Sequence, residues 1–338
     1  MSAPLRGRGV NYDTGFWPAG ETSRASFEPD VVRRELHIIS TDVHCNAVRI
    51  TGGDPVRLSI ASEHAAAAGL EVWFAPFPCD LTPAQMLPYL ADCAERAEDL
   101  RQRGARVVFV AGCELSLFAA GFLPGDGFME RITAIRSTDA QLRTAFDAVP
   151  ARVNAFLAEA VTTVRRRFGG QVTYASVPFE RVDWTPFDVI GIDAYRSARN
   201  APTYRQDLRH YSRQGKPVAV TEFGGCTYRG AAERGAGGWM IIDEHGTIAA
   251  AYTRDENEQA AYLGDLLEIF EAEAIDSAFW LTFAGYNLPH RPDPRHDLDM
   301  ASFGLVKILD GDQCSTYPDM AWEPKQAFTT LANAYARE

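Results

Sequence analysis

The sequence predicts an α/β fold, a single (β/α)8 TIM barrel with long loops after strands four, seven and eight. Three observations carry this. Strand-like and helix-like segments alternate almost without interruption, the pattern of a parallel sheet with crossover helices. Strand segments such as ARVVFVA (105–111) and PVAVT (217–221) are short, nearly continuous apolar runs, as expected of strands covered on both faces. The 338 residues suit one barrel with insertions, and neither a Pro/Ser-rich linker nor a long repeat divides them. A doubly wound sheet is the structural alternative, but no glycine-rich phosphate loop follows the first strand.

The elements follow in order. Arg8 to Asn11 is the first strand, and its loop carries Tyr12, Asp13, Phe16 and Trp17. Pro29 to Asp42 is a helix with Val31, Val32, Leu36 and Ile39 on its apolar face. CNAVRI (45–50) is strand two. Asp54-Pro55 opens the second helix as N-cap and first-position proline, and Gly69 closes it. Leu70 to Pro76 is strand three, and Thr82-Pro83 starts a long helix ended by Gly104. Strand four, 105–111, has Glu114 just beyond its end and is followed by a long connection, Leu115 to Thr138. Asp139 to Phe168 is helical, with an interruption near Pro150.

Gln171 to Val177 is strand five and DVIGID (188–193) strand six, followed by Tyr195 and a helix over 203–213. Strand seven, 217–221, ends at Glu222, and Gly224-Gly225 turns the chain away. The second long loop, 223–252, has a hairpin signal around Glu244-His245-Gly246. Thr253 and Glu256 are spaced as a capping box for a helix over 255–273. SAFWLT (277–282) is strand eight, a third long loop spans 283–302, and Pro324 to Tyr335 is the last helix.

Composition bounds the function. With 46% hydrophobic and 23% charged residues the chain is ordinary globular protein, and its net charge of −12 argues against a nucleic-acid or anionic-membrane partner. The basic run Arg165-Arg166-Arg167 sits at a helix C-terminus, which it favours electrostatically. The N-terminus lacks an apolar core of signal-peptide length. The six cysteines form no CxxC pair, so free thiols in a reducing cytoplasm are expected. Cys79, Cys113 and Cys226 near strand ends, with His44, are zinc ligands by type, but their spacing does not support a site; no metal and no cofactor are expected. The loop RPDPRHDLD (291–299) is read as a solvated acidic loop.

The chemistry-bearing residues are Glu114 and Glu222. A carboxylate at the C-terminal end of a buried parallel strand is costly unless it is paired or working, and that end of a barrel is where catalytic groups gather. Two carboxylates across one mouth can divide into acid and nucleophile when their environments differ. At about 5 Å separation they would support double displacement with retention.

On these residues the chain resembles the retaining glycoside hydrolases of clan A, family 5 and its relatives. The resemblance implies Glu114 as acid/base, Glu222 as nucleophile and a carbohydrate or glycoside as substrate. It implies that Arg49 of CNAVRI supports the nucleophile, that Tyr195 of DVIGIDAY bonds it, and that Trp280 of SAFWLTF floors the sugar subsite. One departure matters: the clan places Asn before the acid/base, where it binds the sugar 2-hydroxyl, and this chain has Cys113. Asn11 is then a substitute donor. Trp17, Phe77, Trp239 and Tyr286 are candidate subsite walls in the mouth loops. The chain also resembles bacterial proteins carrying an abortive-infection label. A barrel that binds a carbohydrate without hydrolysing it, or a transglycosylase on the same carboxylates, stays open.

Overall fold

A computed structural model describes residues 4–16, 22–311 and 314–336. Eight parallel strands form the barrel: β1 Gly7–Asp13, β2 Ala47–Gly52, β3 Glu71–Pro76, β4 Val107–Cys113, β5 Gln171–Ala175, β6 Ile190–Asp193, β7 Val218–Phe223 and β8 Ser277–Trp280. Their spatial order is β5-β4-β3-β2-β1-β8-β7-β6. Backbone bonds from Asp188 to Val172, Ser176 to Gly191 and Asp193 to Ser176 bring β6 back against β5 and close the ring.

Helices α1 (Pro29–Thr41), α2 (Pro55–Ala67) and α3 (Pro83–Gln102) follow the first three strands. Asp54 caps α2 by accepting from Val56 N and Arg57 N, and Thr82 with Gln85 forms a capping box on α3. The connection after β4 holds α4 (Leu115–Phe118) and α5 (Phe128–Arg136), where no helix is expected from sequence. Beyond it, the interruption near Pro150 separates α6 (Ala140–Asp147) from α7 (Val149–Arg165). α8 (Tyr204–Ser212) follows β6 and α9 (Glu256–Ala272) follows β7. α9 is capped by Asp255, which accepts from Glu258 N, and not by the Thr253/Glu256 box. After β8 come a small antiparallel pair, β9 (Val306–Ile308) and β10 (Trp322–Pro324), and the last helix, α10 (Gln326–Tyr335). Among the described residues no helix is long and apolar enough to cross a membrane.

The core has two layers, set by the two-residue period of a strand. One face of each strand meets the helices; the other fills the barrel with Ala47, Trp73, Ala75, Val108, Val110, Ala175, Val189, Ala219 and Phe279. The loop at 291–299 is not simply solvated. Asp297 and Asp299 are buried, and Arg254 bridges both, while buried Lys325 bonds Asp299 at 3.1 Å. A buried carboxylate needs such a partner, and the pairs pin the long loop after β8 to α9 and α10.

Candidate active site

Two β-bulges build the site. In β4 three residues, Ala111 to Cys113, oppose two on β5, with Gly112 at φ +122° supplying the left-handed step. Cys113 thereby turns into the barrel, and Glu114 follows at the mouth. In β7 the register shifts around Thr221 and Glu222, so both point inward before Phe223 rejoins the helix-facing layer. Simple alternation allows only one of that pair inside.

Glu222, 7% exposed, is held on both oxygens. Arg49 Nη1 donates to Oε1 at 2.7 Å, and Tyr195 Oη donates to Oε2 at 3.0 Å. Both contacts are those the resemblance implied. Arg49 is itself fully buried and is aimed by Asn11, whose Oδ1 accepts from the same Nη1 at 2.7 Å.

Glu114 is treated differently. It is half-buried, and its backbone lies in the left-handed region at φ 41°, an uncommon conformation for a side-chain-bearing residue. It occupies the N-cap position of α4 but its side chain caps nothing. That work is done by others: Tyr174 Oη accepts from Leu115 N at 2.7 Å, and Glu180 Oε1 from Ser116 N at 2.9 Å. The Glu114 carboxyl is thus left to the mouth. Burial first, then the charges of Asp193, Glu222 and Glu180, push its pKa well above the ordinary carboxylate range. Glu180, fully buried, is pushed up to about 7, chiefly by burial. It caps α4 from beneath, with both oxygens engaged by Ser116 and Tyr174.

Asp193, at the end of β6, completes the site, and sequence reasoning passed over it. It is 4% exposed, accepts from Thr221 Oγ1 at 2.7 Å, and lies 3.8 Å from Cys113 Sγ. Cys113 Sγ is in turn 3.4 Å from Glu222 Oε1. Burial and the charge of Glu222 raise the Asp193 carboxyl well above its usual range, and the Cys113 thiol is raised for the same reasons. The signal was there: DVIGID ends a buried strand in a carboxylate, as VAVTE does. Cys113, Asp193 and Glu222 offer ligand atoms within 4.8 Å of one another, the one such grouping among the described residues. Arg49 already supplies the positive charge beside them, so the donor set does not call for a metal ion.

Three expectations are corrected. Asn11 is fully buried, and its Nδ2 is committed to the carbonyls of Thr221 (3.0 Å), Phe279 (3.2 Å) and Trp280 (3.4 Å), so it orients Arg49 and is no sugar donor. Trp280 does not floor the subsite: Phe279 takes the inward position, and Trp280, 0% exposed, faces the helices edge-on to Phe223 and bonds Phe303 O through Nε1. Leu281, half-buried beyond the strand, has the inward parity instead. Tyr286 is no open wall either, since its hydroxyl bonds buried Glu35 and Arg24 stacks on its ring.

Trp17 lies outside the described residues. Trp239 is half-buried on the loop after β7, and its ring lies 6.1 Å from Phe128. Phe128 stacks on Phe118 at 4.4 Å, Phe118 meets Phe77 at 4.7 Å, and Phe77 stacks on Phe16 at 4.9 Å. A continuous aromatic band therefore joins the loops after β1, β3, β4 and β7. Two further cavities, of about 330 and 400 Å³, are lined by neither Glu114 nor Glu222.

No protein-family model matches the chain, and no curated protein matches it by sequence. Solved structures match by fold. A GH113 β-1,4-mannanase superposes with a TM-score of 0.63 at 14% identity, over 99% of this chain and 100% of that one. The GH113 β-mannanase AaManA from Alicyclobacillus acidocaldarius gives 0.59 at 16%, over 99% and 97%. Thermotoga maritima Cel5A, in complex with mannotriose, gives 0.53 at 13%, over 88% and 97%. At such identities the likeness is one of fold: the chain adopts the parallel (β/α)8 barrel of these glycoside hydrolases.

Proposed function

We propose that the protein is a retaining O-glycoside hydrolase acting by double displacement. One observation carries the reading: two carboxyl groups open on one barrel mouth in opposite electrostatic settings. Glu222 is oriented on both oxygens by Arg49 and Tyr195, with a full positive charge at 2.7 Å. Glu114 has no such partner and is surrounded by other acids, so it keeps its proton.

Glu222 then attacks the anomeric carbon while Glu114 protonates the departing oxygen. In the second half, Glu114 takes a proton from water as that water displaces the sugar from Glu222. The aromatic band from Phe16 to Trp239 suits the C–H faces of sugar rings. The solved neighbours include mannanases and a Cel5A in complex with mannotriose, and on that likeness β-mannosides are the first candidate substrates.

The test is intact-protein mass after exposure to a panel of activated 2-deoxy-2-fluoro glycosides, wild type beside Glu222→Gln. A sugar-sized adduct on wild type alone, mapped to Glu222, is expected. Absence of an adduct with every sugar would sink the reading and favour a barrel that binds a carbohydrate without cleaving it.

A further inference from the structure

Forming the glycosyl-enzyme would create an electrostatic problem. Arg49 is fully buried, and among the described residues its one bonded carboxylate is Glu222. Once Glu222 becomes an ester it loses its charge, and the guanidinium is left buried without a counter-ion, a costly state. A second carboxyl stands ready. Asp193 lies with Cys113 and Glu222 in one group whose ligand atoms fall within 4.8 Å of each other, and Arg49 attracts its charge. Arg49 Nε and Nη2 have no hydrogen-bond partner among the described residues, so the guanidinium has donors to spare.

We propose that Asp193 is a positioning residue that exchanges charge with Glu222: it is a neutral acid while Glu222 is a carboxylate, and a carboxylate while Glu222 carries the sugar. The proposal rests on the double-displacement reading above. Arg49 then faces one full negative charge throughout the cycle.

The groups around Asp193 favour this division. Glu222 and Thr221 face it from β7, Cys113 and Glu114 from β4, Arg49 from β2, Glu180 from the turn after β5, and Tyr195 from its own loop. Arg49 is the only cation among them. With Glu222 ionised, burial and that neighbouring charge hold the proton on Asp193. In the first half-reaction, Glu222 bonds to the anomeric carbon, the leaving-group bond breaks with its electron pair on oxygen, and that oxygen takes the Glu114 proton. Asp193 gives its own proton to solvent. In the second half, water adds to the anomeric carbon and its proton goes to Glu114. The ester bond returns its electron pair to Glu222, and Asp193 recovers a proton from solvent. The cycle consumes one water and leaves every proton count unchanged.

Two measurements test the exchange, the first without turnover. Protein labelled with 13C at the Asp side-chain carboxyl is examined by infrared difference spectroscopy at pH 7, with Asp193→Asn identifying the Asp193 band. A neutral-acid band is expected in wild type and should vanish in Glu222→Gln, which removes the Glu222 charge as the sugar would. An ionised Asp193 in wild type, or a neutral one that persists in Glu222→Gln, overturns the proposal. The second counts protons released on trapping with a dinitrophenyl 2-deoxy-2-fluoro glycoside. Wild type should release one proton more per adduct than Asp193→Asn and form the adduct at least about tenfold faster. Equal release and equal rate overturn it, because Asn preserves an acceptor for Thr221 and would satisfy a merely structural role. A wild type that forms no adduct with any sugar sinks the glycosidase reading, while the infrared result still decides the charge exchange.

Discussion

The ends of β4 and β7 are built from the same parts and finish in opposite states. Each strand carries a bulge in its last residues and delivers a glutamate to the mouth. At β7 the carboxylate comes pre-paired: Arg49, itself aimed by Asn11, and Tyr195 fix both oxygens. At β4 the neighbouring Tyr174 and Glu180 are spent on the chain beyond the strand. They satisfy the first turn of α4, and Glu114 is left in a left-handed conformation with acids for neighbours. Two chemically identical side chains thus stand in different electrostatic settings, because one is bonded directly to a cation and the other is crowded by acids.

The sharpest way to break that comparison is to remove each carboxyl in turn. Glu222→Ala should lower kcat/KM on the order of 10⁴-fold or more for every substrate, because no other group can form the covalent bond. Added azide should restore turnover of activated substrates with inverted products. Glu114→Gln should cost roughly 10²–10⁴-fold for poor leaving groups and far less for dinitrophenyl glycosides, which need no proton. The pH profile carries the sign. Glu114 must hold its proton, so kcat/KM should fall as pH rises through its raised pKa, and Glu114→Gln should lose that limb. If the two variants showed the same dependence on leaving group, the division of roles would be wrong.

Arg49 tests the pairing from the other side. Arg49→Met leaves Glu222 buried among Asp193 and Cys113 with no cation, so about 3–5 kcal/mol of stability should be lost at neutral pH. Urea unfolding at pH 7 measures it. Part of that loss should return at low pH, where the stranded carboxyl can take a proton. Loss of activity with unchanged stability would mean that the pair is not buried as described.

The barrel was legible because both-face burial writes itself into a sequence as apolar runs, and glutamates just past two such runs stood out. Arg49 and Tyr195 were also legible, through resemblance. Other features were not, for local reasons. A bulge adds one residue to a ladder without changing composition, so nothing in VAVTEF says that Thr221 and Glu222 both face inward. Trp280 was misplaced because likeness to a motif was given more weight than parity: Phe279 and Trp280 cannot share a face, and the inward place went to Phe279. Asp193 was missed although it satisfied the same strand-end argument as Glu222. The capping of α4 by Glu180 depends on a side chain reaching back from beyond β5, a contact of 64 residues' separation that no local pattern encodes.

That contact gives the smallest and cleanest prediction. Glu180 is raised from an ordinary 4.5 to about 7 in the fold, so the folded state binds more protons than the unfolded chain between those values. Its contribution is most favourable below about pH 4.5, is lost as pH rises to about 7, and changes little above that. A shift of this size corresponds to about 2–3 kcal/mol across the window. Glu180→Gln removes the titration. The substitution also disturbs the bond from Tyr174 Oη to Oε2, which adds an offset that does not vary with pH. The quantity to compare is therefore the change in unfolding free energy between pH 4.5 and pH 8, not its value at either end. Wild type should lose stability relative to the variant over that interval. Parallel curves would mean that Glu180 ionises freely in the fold, and that the turn beneath Glu114 is wetter than its burial indicates.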